Sequence, residues 1–267
     1  MLDHQQSGLP SSARRHFLGI SAAVARRVAA AGAIASLPIV GSSKPAKADE
    51  PEDEPQCFLK GTRILTPIGE VPVEELAIGT LVDTLNGPMP IKWIGRQTYR
   101  KVTSPSWHSS VAPIRVGRFA LDDQYPHRDL YLSPKHALLV DGVLIAVEYL
   151  VNGRSIAPAQ MDDGEVIEYF HIELETHEVV FAEGAPTETL HLTGGREHFV
   201  NFVEYERLYG NEQPAPMRTF AAVFRHYGGR AELQGLLRLA LSPIVDARDP
   251  VQKARARTVA RAELVNV

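Results

Sequence analysis

Cysteine is nearly absent: Cys57 is the single one among 267 residues, so no disulfide can form within the chain. A lone thiol is either a small buried apolar group or a reactive nucleophile. An excess of one charge is also missing, because 28 basic residues face 32 acidic ones for a formal charge of −4. That balance supplies no field to draw nucleic acid or an anionic membrane to the surface. Long apolar runs are lacking. The Ala-rich stretch from Val28 to Val40 is too short to span a bilayer comfortably. No repeat of fixed period occurs.

What is present begins with a targeting segment. Arg14 and Arg15 precede His16, Phe17 and Leu18, which resembles the twin-arginine export signature. The apolar run follows a second pair, Arg26 and Arg27, and Ala46-Lys47-Ala48 supplies the small-x-small pattern of a signal-peptidase site. The order of charge, apolar run and small residues predicts a signal peptide over 1–48 and an exported chain, periplasmic or secreted. An N-terminal amphipathic helix that stays on the protein is the plainer alternative. Residues 49–56, Asp49 to Gln56, are acidic, carry two prolines and read as an extended linker.

From Phe58 onward the pattern is that of short strands. Thr62–Thr66 is β-rich, Ile68-Gly69 turns the chain, and Val71–Leu76 continues it. Asn86-Gly87 predicts a hairpin joining Leu81–Leu85 to Ile91–Ile94, and Asp141-Gly142 a second one joining Ala137–Val140 to Val143–Val147. Leu130–Leu132 is a further strand, and Val166–Leu174 and Glu178–Ala182 read as the last clear pair. Turn signals at intervals of about ten residues, without a long helical period, predict an all-β architecture. After about Leu190 the character changes. Phe202–Tyr209, Arg218–His226 and Arg230–Leu241 are compatible with helix, and Pro250–Leu264 has proline at a favoured first position followed by strong helix formers. Residues 191–267 are therefore expected to form a mainly α-helical extension. Lys253, Arg255, Arg257 and Arg261 give its last helix a basic face. No aromatic residues interleave them, so a solvated surface is the preferred reading over a nucleic-acid contact.

Cys57 stands at the boundary between linker and β-rich region, heading the segment Cys57-Phe58-Leu59-Lys60-Gly61-Thr62-Arg63-Ile64-Leu65-Thr66. That segment, with Gly69, Val73-Glu74-Glu75-Leu76, Gly79 and Val82, resembles the opening block of the Hint family, which includes inteins and the Hedgehog autoprocessing domain. Further blocks match in order: Trp93-Ile94-Gly95, Pro126, Arg128-Asp129-Leu130, Ser133-Pro134-Lys135-His136, Tyr169, His171, His177 and Ala182-Glu183-Gly184. They are most similar to the bacterial subgroup. The resemblance covers about half of the chain and implies an all-β Hint-type horseshoe over 57–190.

The resemblance also implies a chemistry. The thiolate of Cys57 attacks the carbonyl of Gln56, and the leaving nitrogen needs a proton while the oxygen needs hydrogen-bond donors. His136 is the implied proton donor, its imidazole able to accept and return a proton near neutrality. Ser133 stands where the family usually has Thr and keeps the hydroxyl that can bond the scissile amide. His171 occupies the place of an aspartate that handles the cysteine proton, and His177 matches the later histidine of the same block. Splicing needs an Asn followed by Cys, Ser or Thr, whereas Asn201 precedes Phe202 and Asn266 precedes Val267. The implied outcome is cleavage at Gln56–Cys57 without ligation, resolved by water or a small nucleophile. The chain's own N-terminal flank is then its substrate, and no cofactor enters.

Three alternatives stay open at this stage. Cys57 can be an inert buried residue, which makes the domain a silent structural or interaction module. It can be the nucleophile of a hydrolase acting on other molecules. His136, His171 and His177 can bind zinc, although their spacing fits no compact ligand motif. His108 and His127 read as surface or structural residues.

Overall fold

Fifteen strands, none longer than eight residues, carry the described part of the chain. The computed structural model describes residues 56–100, 109–160, 166–191, 195–210, 217–224 and 250–264. The chain divides into two compact units, Met1–Glu50 and Pro51–Val267, and every described residue belongs to the second. The twin-arginine and cleavage-site residues Arg14, Arg15, Ala46 and Ala48 lie outside the described residues, as does Arg230–Leu241.

In chain order the strands are β1 (Phe58–Leu59), β2 (Arg63–Thr66), β3 (Gly69–Pro72), β4 (Leu81–Thr84), β5 (Gly87–Pro90), β6 (Trp93–Arg100), β7 (Ile114–Val116) and β8 (Leu130–Leu132). They continue with β9 (Ala137–Val140), β10 (Val143–Ala146), β11 (Ile156–Pro158), β12 (Val166–Glu173), β13 (Val179–Ala182), β14 (Ala185–Glu188) and β15 (Ala222–Phe224). Among the described residues the helices are α1 (Phe202–Tyr209) and α2 (Pro250–Leu264), and single 3-10 turns cover Val73–Glu75, Val147–Leu150 and Arg196–His198. One sheet has the order β11-β7-β8-β1-β12-β6; the other runs β15-β10-β9-β14-β13-β2-β3, with β4 also on β13 and β5 on β4. The expected all-β architecture is present. None of the described helices is long and apolar enough to cross a membrane.

The turns explain the tight hairpins. Asp141 and Gly142 have φ of 51° and 81°, and Glu183 and Gly184 have 47° and 81°. Positive φ at both central residues is the backbone whose twist matches flanking antiparallel strands. Apolar residues of both sheets meet in a core that includes Ile64, Val82, Leu130, Leu138, Ile145, Leu150, Ile172 and Val180, all fully buried. A second cluster gathers Cys57, Ile167, Tyr169 and Leu190 around Trp93, closed by Phe199 and Tyr205. Phe199 meets the Trp93 ring edge-on at 5.5 Å and Tyr205 at 5.3 Å. Gly95 makes this approach possible, because a Cβ there would lie 2.7 Å from the Phe199 ring.

A buried ion pair ties this cover to the sheet. Arg196 donates from Nε and Nη2 to the two Glu173 oxygens at 2.9 and 2.7 Å, with the Glu173 side chain wholly buried. Its guanidinium also lies 4.2 Å from the Tyr205 ring centre. Glu173→Ala strands that cation in an apolar setting, so stability is expected to fall by about 3–5 kcal/mol. Urea unfolding of the variant beside the wild type measures it, and a loss below ~1 kcal/mol contradicts the assignment.

Three expectations are corrected. The Asn86-Gly87 turn forms, but β4 pairs with β5, ending at Pro90, and not with Ile91–Ile94. The chain then leaves that hairpin, and β6 pairs with β12 from Trp93↔Glu173 to Arg100↔Val166. Val166–Leu174 and Glu178–Ala182 consequently lie in different sheets, since β13 pairs with β14, β2 and β4. Within Arg218–His226, residues 222–224 form strand β15, parallel to β10. The exposed edge of β10 offers unpaired backbone groups, and satisfying them outweighs local helix propensity. Helices α1 and α2 have the expected bounds. On α2, Ala254, Thr258 and Ala262 are buried, and two of the basic residues hold the helix in place. Arg257 pairs with Asp141, and Arg261 with Asp123 and the Phe119 carbonyl.

Candidate functional site

The site forms where the chain passes from one sheet to the other. Phe58 of β1 pairs with Leu132 of β8 and Phe170 of β12, which places Cys57 opposite Ser133. Ser133 N–H donates to the Cys57 carbonyl at 2.9 Å. In the reverse direction the Cys57 amide donates 2.7 Å to Ser133 Oγ. Pro134 presets the next bend, and His136 N–H closes it on the Ser133 carbonyl at 3.1 Å. The hydroxyl and the imidazole thus flank one turn, beyond which β9 begins in the second sheet.

His136 is fully buried, its ring 4.4 Å from that of Phe58 and stacked on His171 at 5.2 Å and 11°. His136 Nε2 lies 3.2 Å from the Glu188 carbonyl. A carbonyl only accepts, so the proton of the neutral ring sits on Nε2, and the buried Nδ1 is a lone pair with no hydrogen-bond partner. The Cys57 carbonyl faces the same ring.

His177 lies on another crossing between the sheets, from β12 to β13. Its Nδ1 accepts the Phe220 N–H at 3.1 Å, so its Nε2 carries the proton and points at Glu188 Oε2, 3.6 Å away. The other Glu188 oxygen accepts the Ala137 N–H at 2.8 Å. His191 adds a fourth imidazole, its ring 4.8 Å from that of His177 and its Nε2 donating to the Met217 carbonyl at 3.2 Å.

Burial dominates the electrostatics. It pushes the Cys57 thiol well above the usual range. Burial also lowers His136, a shift that the Glu188 charge and the Glu188 and Cys57 carbonyls only partly oppose. His171 is held far below the ordinary imidazole value by burial and then by its neighbour His136. For Glu188, burial pulls upward, but His177 and His136 together hold the carboxyl below its usual value. At rest the site is a neutral thiol, neutral His136 and His171 rings and one carboxylate.

A family model described as Hint domain matches residues 56–194, just over half of the chain. This chain belongs to the Hint domain family. Among solved structures the Hint domain is similar to the gp41-1 intein, at TM-score 0.33 and 12% identity over 49% of this chain and 97% of that one. It is similar to the MchDnaB-1 intein at TM-score 0.34 and 12% identity, over 49% and 98%. A bacterial intein-like domain from Clostridium thermocellum gives TM-score 0.31 and 11% identity, over 51% and 99%. No curated protein matches the chain.

This Hint domain brings Cys57, Ser133, His136, His171 and His177 into one buried neighbourhood, with Gln56 at its edge. Sequence reading missed Glu188 and the Phe220 N–H. The signal for Glu188 was a carboxylate inside Ala185–Leu190, a run that is otherwise apolar or threonine. Phe220 carried none, because a backbone N–H has no side-chain signature. Among the described residues, the three-ligand cluster within metal-binding reach is Glu70, His127 and Glu183, and Arg128 is ion-paired to both carboxylates.

Proposed function

We propose that this Hint domain rearranges and then cuts its own chain at Gln56–Cys57. The observation that carries the reading is the 2.7 Å contact between the scissile N–H and Ser133 Oγ, with His136 buried on the same turn against the backbone of Cys57. His136 Nδ1 takes the thiol proton, and the sulfur attacks the Gln56 carbonyl carbon. The C–S bond forms and the C–N bond breaks. Imidazolium His136 returns the proton to the departing nitrogen, which becomes the α-amine of Cys57, and Ser133 keeps that nitrogen aligned throughout. Water then adds hydroxide to the Gln56 acyl carbon, and the sulfur regains a proton. Hydrogen bonds that a resting site holds loosely tighten at the transition state.

Purified protein incubated with dithiothreitol provides the test. The thiol intercepts the thioester, so fragments Met1–Gln56, as its dithiothreitol ester or hydrolysed acid, and Cys57–Val267 are expected by intact mass. A mass that stays uncut through prolonged incubation ends the proposal. We place the reaction in an exported protein, on the strength of Arg14, Arg15 and the Ala46-Lys47-Ala48 pattern. N-terminal sequencing of the exported chain distinguishes signal removal alone, which starts it at Asp49, from self-cleavage, which starts it at Cys57. The neutral buried thiol favours a second reading, a silent Hint-fold interaction module.

A further inference from the structure

Glu188 brings charge into the histidine cluster, and the acyl shift described above leaves that charge without a task. The residue ends β14 at 1% exposure, between the fully buried Thr187 and Thr189. Withdrawing a carboxylate from water costs several kcal/mol unless its partners compensate. Its compensation is incomplete: Ala137 N–H reaches one oxygen at 2.8 Å, whereas the other has no hydrogen bond and faces His177 Nε2 at 3.6 Å. A strand position that served packing alone would be filled by valine or threonine at no such cost.

The surrounding contacts give the charge a direction. Phe220 N–H fixes the His177 proton on Nε2, toward the carboxylate. The backbone carbonyl of Glu188 fixes the His136 proton on Nε2, leaving Nδ1 as the lone pair. One residue therefore holds His136 through its main chain and supplies a negative charge behind it through its side chain. The titratable groups that act on that charge are His136 ahead of β9 and His177 ahead of β13, with His171 of β12 stacked on the first ring and His191 packed against the second. Among the described residues these four groups are all imidazoles.

We infer that Glu188 is the positioning residue of the acyl shift: its carboxylate stabilises the imidazolium that His136 becomes on taking the Cys57 proton, and its carbonyl keeps Nδ1 as the atom that takes it. The inference rests on the self-cleavage reading. Charge is the operative property, so Glu188→Gln and Glu188→Asp separate it from shape. The glutamine variant keeps the Ala137 bond through its amide oxygen and loses the charge; the aspartate variant keeps the charge.

Cleavage by Glu188→Gln is expected to be roughly 10–100-fold slower. Its rate should also fall off at lower pH than in wild type, because His136 without the carboxylate becomes harder to protonate. Glu188→Asp is expected to keep the wild-type pH profile and to lose less than about tenfold. A second readout needs no cleavage. In the Cys57→Ala chain the His136 ring signals, followed by 1H–15N spectra, are expected to titrate roughly one pH lower when Glu188→Gln is added. Near-UV circular dichroism checks that each variant is folded. An unchanged rate, profile and titration in Glu188→Gln overturns the inference. A wild type that never cuts, with the titration still displaced by Glu188→Gln, overturns self-cleavage and leaves the hold of Glu188 on His136 standing.

Discussion

Cys57→Ala is expected to leave the Gln56–Cys57 linkage intact at every pH and thiol concentration, with no fragment detectable by intact mass. No other cysteine can substitute, since the chain has none. The same residue sets a pH dependence in the wild type. The reactive state pairs a neutral thiol with a neutral imidazole that can take its proton, and either departure stops the reaction. Acid protonates His136; burial lowers that pKa, so activity is lost only below the ordinary imidazole value of about 6.5. Alkali removes the thiol proton; burial raises that pKa, so the upper limit lies above the ordinary value of about 8.5. The rate is accordingly expected to be flat from about pH 6.5 to 8.5. A rate that climbs tenfold per pH across this window identifies free thiolate as the attacking species and removes His136 from its role as base.

His136→Ala is expected to slow cleavage by about 10²–10⁴-fold, the usual contribution of a positioned acid–base group. Its loss leaves the departing nitrogen without a proton and the thiol without a base. The deletion also opens space beside Phe58 and His171, both of which pack against the ring. His136→Gln fills more of that space while lacking a titrating nitrogen, so similar slowing in both variants assigns the effect to proton transfer. First-order rates at matched pH, from intact mass over time, make the comparison. A loss of less than about tenfold in the glutamine variant refutes the assignment.

The parts of this site that were legible in the sequence are local. Ser133, Pro134 and His136 belong to one turn, and Asp141-Gly142 and the bounds of α1 and α2 are set by residues next to one another. Hydrophobic alternation showed that Val166–Leu174 is a strand, but it carries no information on partners, so the pairing of β12 with β6 was invisible. Strand β15 escaped for a related reason: its three residues gain their conformation from the edge of β10, many residues upstream. Glu188 escaped as well, because burial at β14 depends on tertiary packing that its local sequence does not specify. In this fold the family resemblance marks Cys57 and the Ser133–His136 turn, while the Glu188 carboxylate is brought to them by tertiary contacts.

The bond from Phe220 N–H to His177 Nδ1 has a consequence for the order of synthesis. A ribosome releases the cysteine, the hydroxyl turn and every imidazole of the cluster well before Phe220 leaves the exit tunnel. Until then His177 lacks the N–H that engages its Nδ1, and β10 waits without its parallel neighbour. A premature stop ahead of Phe220 yields a chain that holds Cys57 and the four imidazoles but lacks the N–H that faces His177 Nδ1.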